Sequence, residues 1–90
     1  MKSILWNEGK NKQLKASRGI SFNAVALAIH RGLILDIIEH PNQDKYPGQR
    51  IFILAINQYV YLVPFVEDDQ GIFLKTIIPS RKMKKKYLEE

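Results

Sequence analysis

The sequence predicts an α+β domain: a short N-terminal strand, two helices, an antiparallel four-stranded meander and a short C-terminal basic helix. Three observations carry that prediction. Asn7 and Ser21 each stand at the start of a proline-free stretch, as helix N-caps do. Four β-rich runs then follow, divided by short polar turns. The chain closes on a lysine-rich stretch behind Ser80. Sequential hairpins favour antiparallel pairing, and two helices on one face of such a sheet make an α+β sandwich.

Residues 3 to 6, Ser-Ile-Leu-Trp, read as the first strand. The first helix runs from Glu8 to Ser17; Leu14 is its one large apolar residue, so Trp6 and Leu14 must dock it. Gly19 ends it, at a position that tolerates positive φ. The second helix presents Phe22, Val25, Ala26 and Ile29 at i, i+3, i+4 and i+7, a single apolar stripe. Leu33 to His40 is a strand in which Asp36 breaks the apolar run. Pro41 to Gly48 is a polar loop. Ile51 to Ile56 is almost wholly apolar, as expected of a central strand covered on both faces. Asn57-Gln58 is a two-residue hairpin turn, Tyr59 to Val66 the return strand, and Glu67 to Gly71 an acidic turn. Ile72 to Ile78 is the last strand, stopped by Pro79, which cannot donate to a ladder.

The 90 residues form one domain, 46% apolar and 26% charged. A chain this short buries only about 60–65% of its unfolded surface, so a partner can add much to its stability. No cysteine is present, which removes a disulfide scaffold and a thiolate metal site and fits a reducing cytoplasm, the expected compartment. The first residues hold no apolar core of signal-peptide length, and no run approaches the roughly 18 apolar residues of a membrane span. The net charge of +5 is uneven. Residues 1–18 carry five cations against Glu8, and residues 80–90 carry five against Glu89 and Glu90. The middle has four cations against six acids. Basic ends that meet in the fold make one face suited to nucleic acid or to an acidic partner.

The closing stretch Lys75-Thr76-Ile77-Ile78-Pro79-Ser80-Arg81-Lys82 stands out. Ser80 reads as an N-cap, and Arg81, Lys82, Lys84, Lys85 and Lys86 crowd the first two turns behind it. Cations there are unfavourable by about 0.3–1 kcal/mol each, because the helix dipole is positive at that end. Glu89 and Glu90 sit at the opposite, negative end. The pattern opposes helix stability and suits an anion, usually a phosphate; a solvated basic tail is the plain alternative.

No metal-ligand spacing, Gly-rich phosphate loop, nucleophile elbow or thiol nucleophile is present. The remaining groups suit RNA phosphodiester cleavage without metal or cofactor. That reaction needs a base for the 2′-hydroxyl, a proton donor for the leaving oxygen and cations for the phosphorane charge. The candidates are Arg81, Lys82, Tyr87, Arg50, Lys45, His40 and Glu67, with Lys84, Lys85, Lys86, Lys12 and Lys15 for RNA binding. Each catalytic candidate has a structural alternative. His40 can be a strand-end hydrogen-bonder, Glu67 a turn carboxylate, Tyr87 a packing residue, and Arg50 a partner of Asp36 or Glu39.

Trp6-Asn7-Glu8, then Lys10-Asn11, then Arg18-Gly19-Ile20-Ser21-Phe22 resembles the opening of the BrnT toxins. These are small ribonuclease toxins of type II toxin–antitoxin systems, with a fold similar to the RelE toxins. Ile77-Ile78-Pro79-Ser80-Arg81-Lys82, leading to Tyr87, resembles their closing segment, and Gly48-Gln49-Arg50 their Gly-Glu-x-Arg-like strand start. Departures are Arg18 where the family has His, Pro79-Ser80 for Ser-Ala, Gln49 for an acid, and a shorter last helix without an internal Glu. The resemblance implies a toxin that cuts RNA, halts translation, acts at or off the ribosome, and pairs with a small DNA-binding antitoxin in a hetero-oligomer. The rival expectation is a non-catalytic basic module that binds nucleic acid or protein.

Overall fold

The computed structural model describes residues 2–88. Its chain order is β1 (Ile4–Leu5), α1 (Glu8–Arg18), α2 (Phe22–His30), β2 (Ile34–Glu39), β3 (Arg50–Ile56), β4 (Tyr59–Asp68), β5 (Gly71–Leu74), β6 (Ile78–Pro79) and α3 (Arg81–Leu88). The fold is α+β, with three helices and one mixed sheet of six strands. The meander β2-β3-β4-β5 is antiparallel throughout, as expected.

The sheet departs from expectation at its edges. β1 is two residues long and pairs parallel with β5, Ile4 beside Ile72. The approach is close: the Ser3 carbonyl accepts from Ile72 N–H at 2.8 Å, and a Cβ on Gly71 (φ 149°) would lie 2.4 Å from that same oxygen. Glycine is required there. Glu67 and Asp68, expected in a turn, extend β4 instead.

The expected last strand, Ile72 to Ile78, is in fact two. β5 pairs with Phe65 to Asp68, and β6 pairs with Tyr61 and Leu62 on the same edge of β4. Lys75 N–H donates to Pro64 carbonyl at 2.8 Å, but Pro64 has no N–H to return the bond. The ladder fails there, and residues 75–77 bulge. Pro79 does not stop the strand. It sits within β6 on the edge of the sheet, where a missing donor costs little.

Local signals place the helices. Asn7 Oδ1 accepts from Lys10 N–H at 2.9 Å, and Ser21 Oγ from Ala24 N–H at 3.1 Å. Gly19 closes α1 at φ 67°. The Asn57-Gln58 turn has positive φ at both residues, 52° and 63°, the geometry that matches strand twist even without glycine.

Alternation along β3 sorts the core into two faces. Phe52, Leu54 and Ile56 join Val63, Phe65, Leu74 and Ile77 beneath α1 and α2. Ile51, Ile53 and Val60 are buried on the opposite side, where α3 crosses β4. The α2 stripe buries Phe22, Val25, Ala28 and Ile29; Ala26, expected in it, is only half-buried. Full burial of one such side chain contributes about 1.5–3 kcal/mol.

Trp6 and Leu14 do not dock α1 alone. Asn11, 1% exposed, is the buried polar residue of the fold among those described. Its Oδ1 accepts from Phe22 N–H at 2.7 Å, and its Nδ2 donates to Glu8 Oε1 and Asn23 Oδ1, each at 3.0 Å. Trp6 stacks on Phe22 at 5.9 Å and donates its indole N–H to Glu8. Asn11→Ala leaves the buried Phe22 N–H without an acceptor and opens a void. It should lower unfolding free energy by about 2–3 kcal/mol, read as a fall in the urea midpoint. A change under about 0.5 kcal/mol would show that the two helices hold together by apolar packing alone.

Candidate nucleic-acid interface

Arg81 stands at a joint that three backbone contacts fix. Ser80 N–H donates to Val60 carbonyl at 3.0 Å, tying the joint to β4. Ser80 Oγ then accepts from Met83 N–H at 3.2 Å, and Ser80 carbonyl from Lys84 N–H at 3.0 Å. The N-cap expected at Ser80 is therefore formed. The N–H groups of Arg81 and Lys82 are those a helix start leaves without an intrahelical acceptor. Both side chains are exposed and make no hydrogen bond or ion pair among the described residues. Lys85 and Lys86 are exposed too, while Lys84 is half-buried and lies over the Tyr59 ring at 5.3 Å. Glu89 and Glu90, expected to close this helix, lie outside the described residues.

Tyr87 bridges. Its hydroxyl donates to Asp36 Oδ2 at 3.2 Å, linking α3 to the edge strand β2. Burial raises its pKa, and the neighbouring Asp36 charge and bond raise it further. Tyr87 thus holds its proton and spends it on a structural bond, which matches its packing alternative.

The other candidates gather at the opposite end of the sheet. Arg50 reaches Glu67 at 2.6 Å, and Lys2 reaches the same carboxylate at 3.2 Å. Arg50 also lies over Phe65 at 5.0 Å. Its ion partner is Glu67, neither Asp36 nor Glu39; Glu39 is only its ladder neighbour. The Lys2 hydrogen bond lowers the Glu67 pKa, with the charges of Lys2 and Arg50 acting in the same direction. Glu67 is thereby held as a carboxylate, a poor proton donor.

His40 works inside its loop. Nδ1 accepts from Asn42 N–H at 3.1 Å, and the ring lies 4.4 Å from that of Tyr46. Gln43 staples the loop: its Nε2 donates to the carbonyls of His40 and Gln49, and its Oε1 accepts from Gly48 N–H. Lys45 lies over Tyr46 at 5.4 Å.

The seven candidates therefore split. Arg81 and Lys82 belong to the β6–α3 joint, Tyr87 to the other end of α3 against β2, and His40, Lys45, Arg50 and Glu67 to the far end of the sheet. Val60 and Glu67, which mark the two ends along β4, are about 24 Å apart at strand rise. One nucleotide cannot touch both groups. Neither of two surface grooves collects either group. A groove of about 260 Å³ is lined by Ala24, Leu27, Ala28, Arg31, Leu33, Ile56 and Asn57. A shallower one of about 440 Å³, lined by Ala55, Gln58, Lys84 and Leu88, takes in Lys84 alone of the candidates.

The end of α1 reaches the approach to β6. Arg18, the last residue of α1, donates from Nη1 to the carbonyl of Ile77, just before β6. Lys12 and Lys15 are exposed on the same helix. Arg18 was legible only as a helix end; its partner is 59 residues away in sequence. Tyr59 and Tyr61 have their rings 5.6 Å apart, and Tyr61 packs against the core. Among the described residues no group of three or more His, Cys, Asp or Glu could hold a metal ion. No helix is long and apolar enough to cross a membrane.

Comparison of the chain with protein-family models, with curated proteins and with solved structures gave no match.

A depressed carboxylate pKa stabilises the fold above the unfolded-state pKa, and that stabilisation is lost as pH falls through the folded-state value. Glu67→Gln should therefore melt lower than wild type at neutral pH and lose less stability below about pH 5. Parallel melting curves for the two proteins from pH 7 down to pH 3 would show that the Lys2–Glu67–Arg50 cluster is too solvated to matter.

Proposed function

We propose that this chain is a ribonuclease toxin of a type II toxin–antitoxin system, cleaving RNA without a metal and so blocking translation. The observation that carries the reading is Arg81 with Lys82. Two cations without an ion-pair partner among the described residues stand at a strand-to-helix joint, where the helix dipole opposes them and an anion would relieve them. The BrnT-like motifs at both ends of the chain support it. In the reaction the 2′-oxygen attacks phosphorus, the 5′-oxygen leaves, and a cyclic phosphate forms. Arg81 and Lys82 hold the phosphate and offset its growing charge. Tyr87 is the proton-transferring candidate on the same helix. Arg50, Lys45, His40 and Glu67 lie too far off to act on that phosphate, so they serve neighbouring nucleotides. Lys84, Lys85 and Lys86, with Lys12 and Lys15, draw the RNA in.

The partner implied is a small DNA-binding antitoxin that covers the basic face in a hetero-oligomer, in the cytoplasm, with the ribosome as a possible place of action. A second reading is a binding module without catalysis. One specific observation favours it: Tyr87 and Glu67 are both engaged in structural contacts, Tyr87 with Asp36 and Glu67 with Lys2 and Arg50.

Tightly induced expression in a bacterial host separates them. Wild type should arrest growth and degrade RNA, while Arg81→Ala should do neither and keep its thermal transition. Growth with intact RNA in both, at equal soluble yield, would leave only the binding module. Loss of fold in Arg81→Ala would make that residue structural.

A further inference from the structure

We propose that Arg18 is a fixed contact to the backbone of single-stranded RNA, on the strand whose phosphate Arg81 holds. The inference rests on the RNA-binding reading above and adds to it a residue.

Three observations lead there. First, Arg18 is anchored. Ile77 falls in the bulge between β5 and β6, outside both ladders, and its carbonyl accepts from Arg18 Nη1. A guanidinium has five N–H donors, so the bond to Ile77 leaves four. Second, Arg18 is exposed and has no carboxylate partner among the described residues. A guanidinium held by one edge and open at the other is prepared for a phosphate, with less freedom to lose than a loose lysine. Third, the spacing is right. Ile77 and Arg81 are four residues apart, at most about 14 Å even for extended chain. Arg18, held at Ile77 on the face that α1 and α2 cover, and Arg81, opening α3 on the other, are thereby close enough for one strand passing over the β6 edge to reach both. Lys15, one turn back on α1, continues the line.

The alternative is that Arg18 serves the fold alone, closing α1 and satisfying one carbonyl. Two substitutions separate the roles. Arg18→Gln keeps an amide that can donate to Ile77 and removes the charge. Arg18→Lys keeps the charge. Binding to a short 2′-O-methyl oligouridylate, which cannot be cleaved, is measured from low to physiological salt, with a melting curve for each protein. Arg18→Gln should bind more weakly, with the slope of log affinity against log salt shallower by about 0.7, the loss of one phosphate contact. Arg18→Lys should keep the wild-type slope. A wild-type slope in Arg18→Gln, or slopes that follow the melting temperature rather than the charge at residue 18, would overturn the proposal while leaving the RNA reading intact. Absence of wild-type binding would instead remove the RNA reading and this inference with it.

Discussion

The fold turns on one buried amide. Asn11 joins two helices that have little else to join them, since α1 buries only Asn11 and Leu14. Its side chain satisfies the first N–H of α2, and both of its own N–H groups find acceptors. A half-satisfied network in that position would be worse than none. Completeness is what makes it useful: it ties α1 to the start of α2 without leaving a buried polar group unpaired. Glu8 belongs to the same unit. The Asn11 hydrogen bond, then the Trp6 bond, lowers its pKa and keeps it an acceptor. The opening motif Trp6-Asn7-Glu8 through Asn11 is thus scaffold in this molecule, one residue clamping, one capping and two bonding.

The charge that does not help the fold lies elsewhere. α3 has no buried residue and carries five cations in eight positions. It stays in place through the Ser80 cap, the Tyr87–Asp36 bond and contact with β4. Local sequence choices that oppose local stability are expected where function is served. The far cluster around Arg50 and Glu67 has the opposite character. There Glu67 pairs with both Arg50 and Lys2, and Gln43 staples the neighbouring loop.

Much of this was legible in the residues. Caps at Asn7, Ser21 and Ser80 and the Gly19 stop rest on local hydrogen bonds and φ preference, which neighbours in sequence settle. The meander followed from short turns, because hairpins leave few topologies open. What was hidden depends on distant residues. Asp36 and Tyr87 are 51 positions apart. The parallel seat of β1 depends on the absence of a Cβ at Gly71, which is a fact about Ser3 as much as about glycine. The division of the last strand came from Pro64, a residue on the partner strand. Spatial clustering of the seven candidate groups was the least legible part, since residue type says nothing of which end of a strand it occupies.

The bulge at residues 75–77 has a consequence for how such a chain can vary. Side chains along a strand alternate with a period of two. The bulge therefore sets whether Ile77 points into the core and which way the chain leaves Pro79 for α3. Adding or deleting one residue between Leu74 and Ile78 would turn every later side chain to the other face, carrying Arg81 with it. The loop from Pro41 to Gly48 lies on the surface, where a change of length is absorbed at slight entropic cost. Length variation among sequences built on this plan would then concentrate in one connection and be nearly forbidden in the other, although both look like simple links between strands.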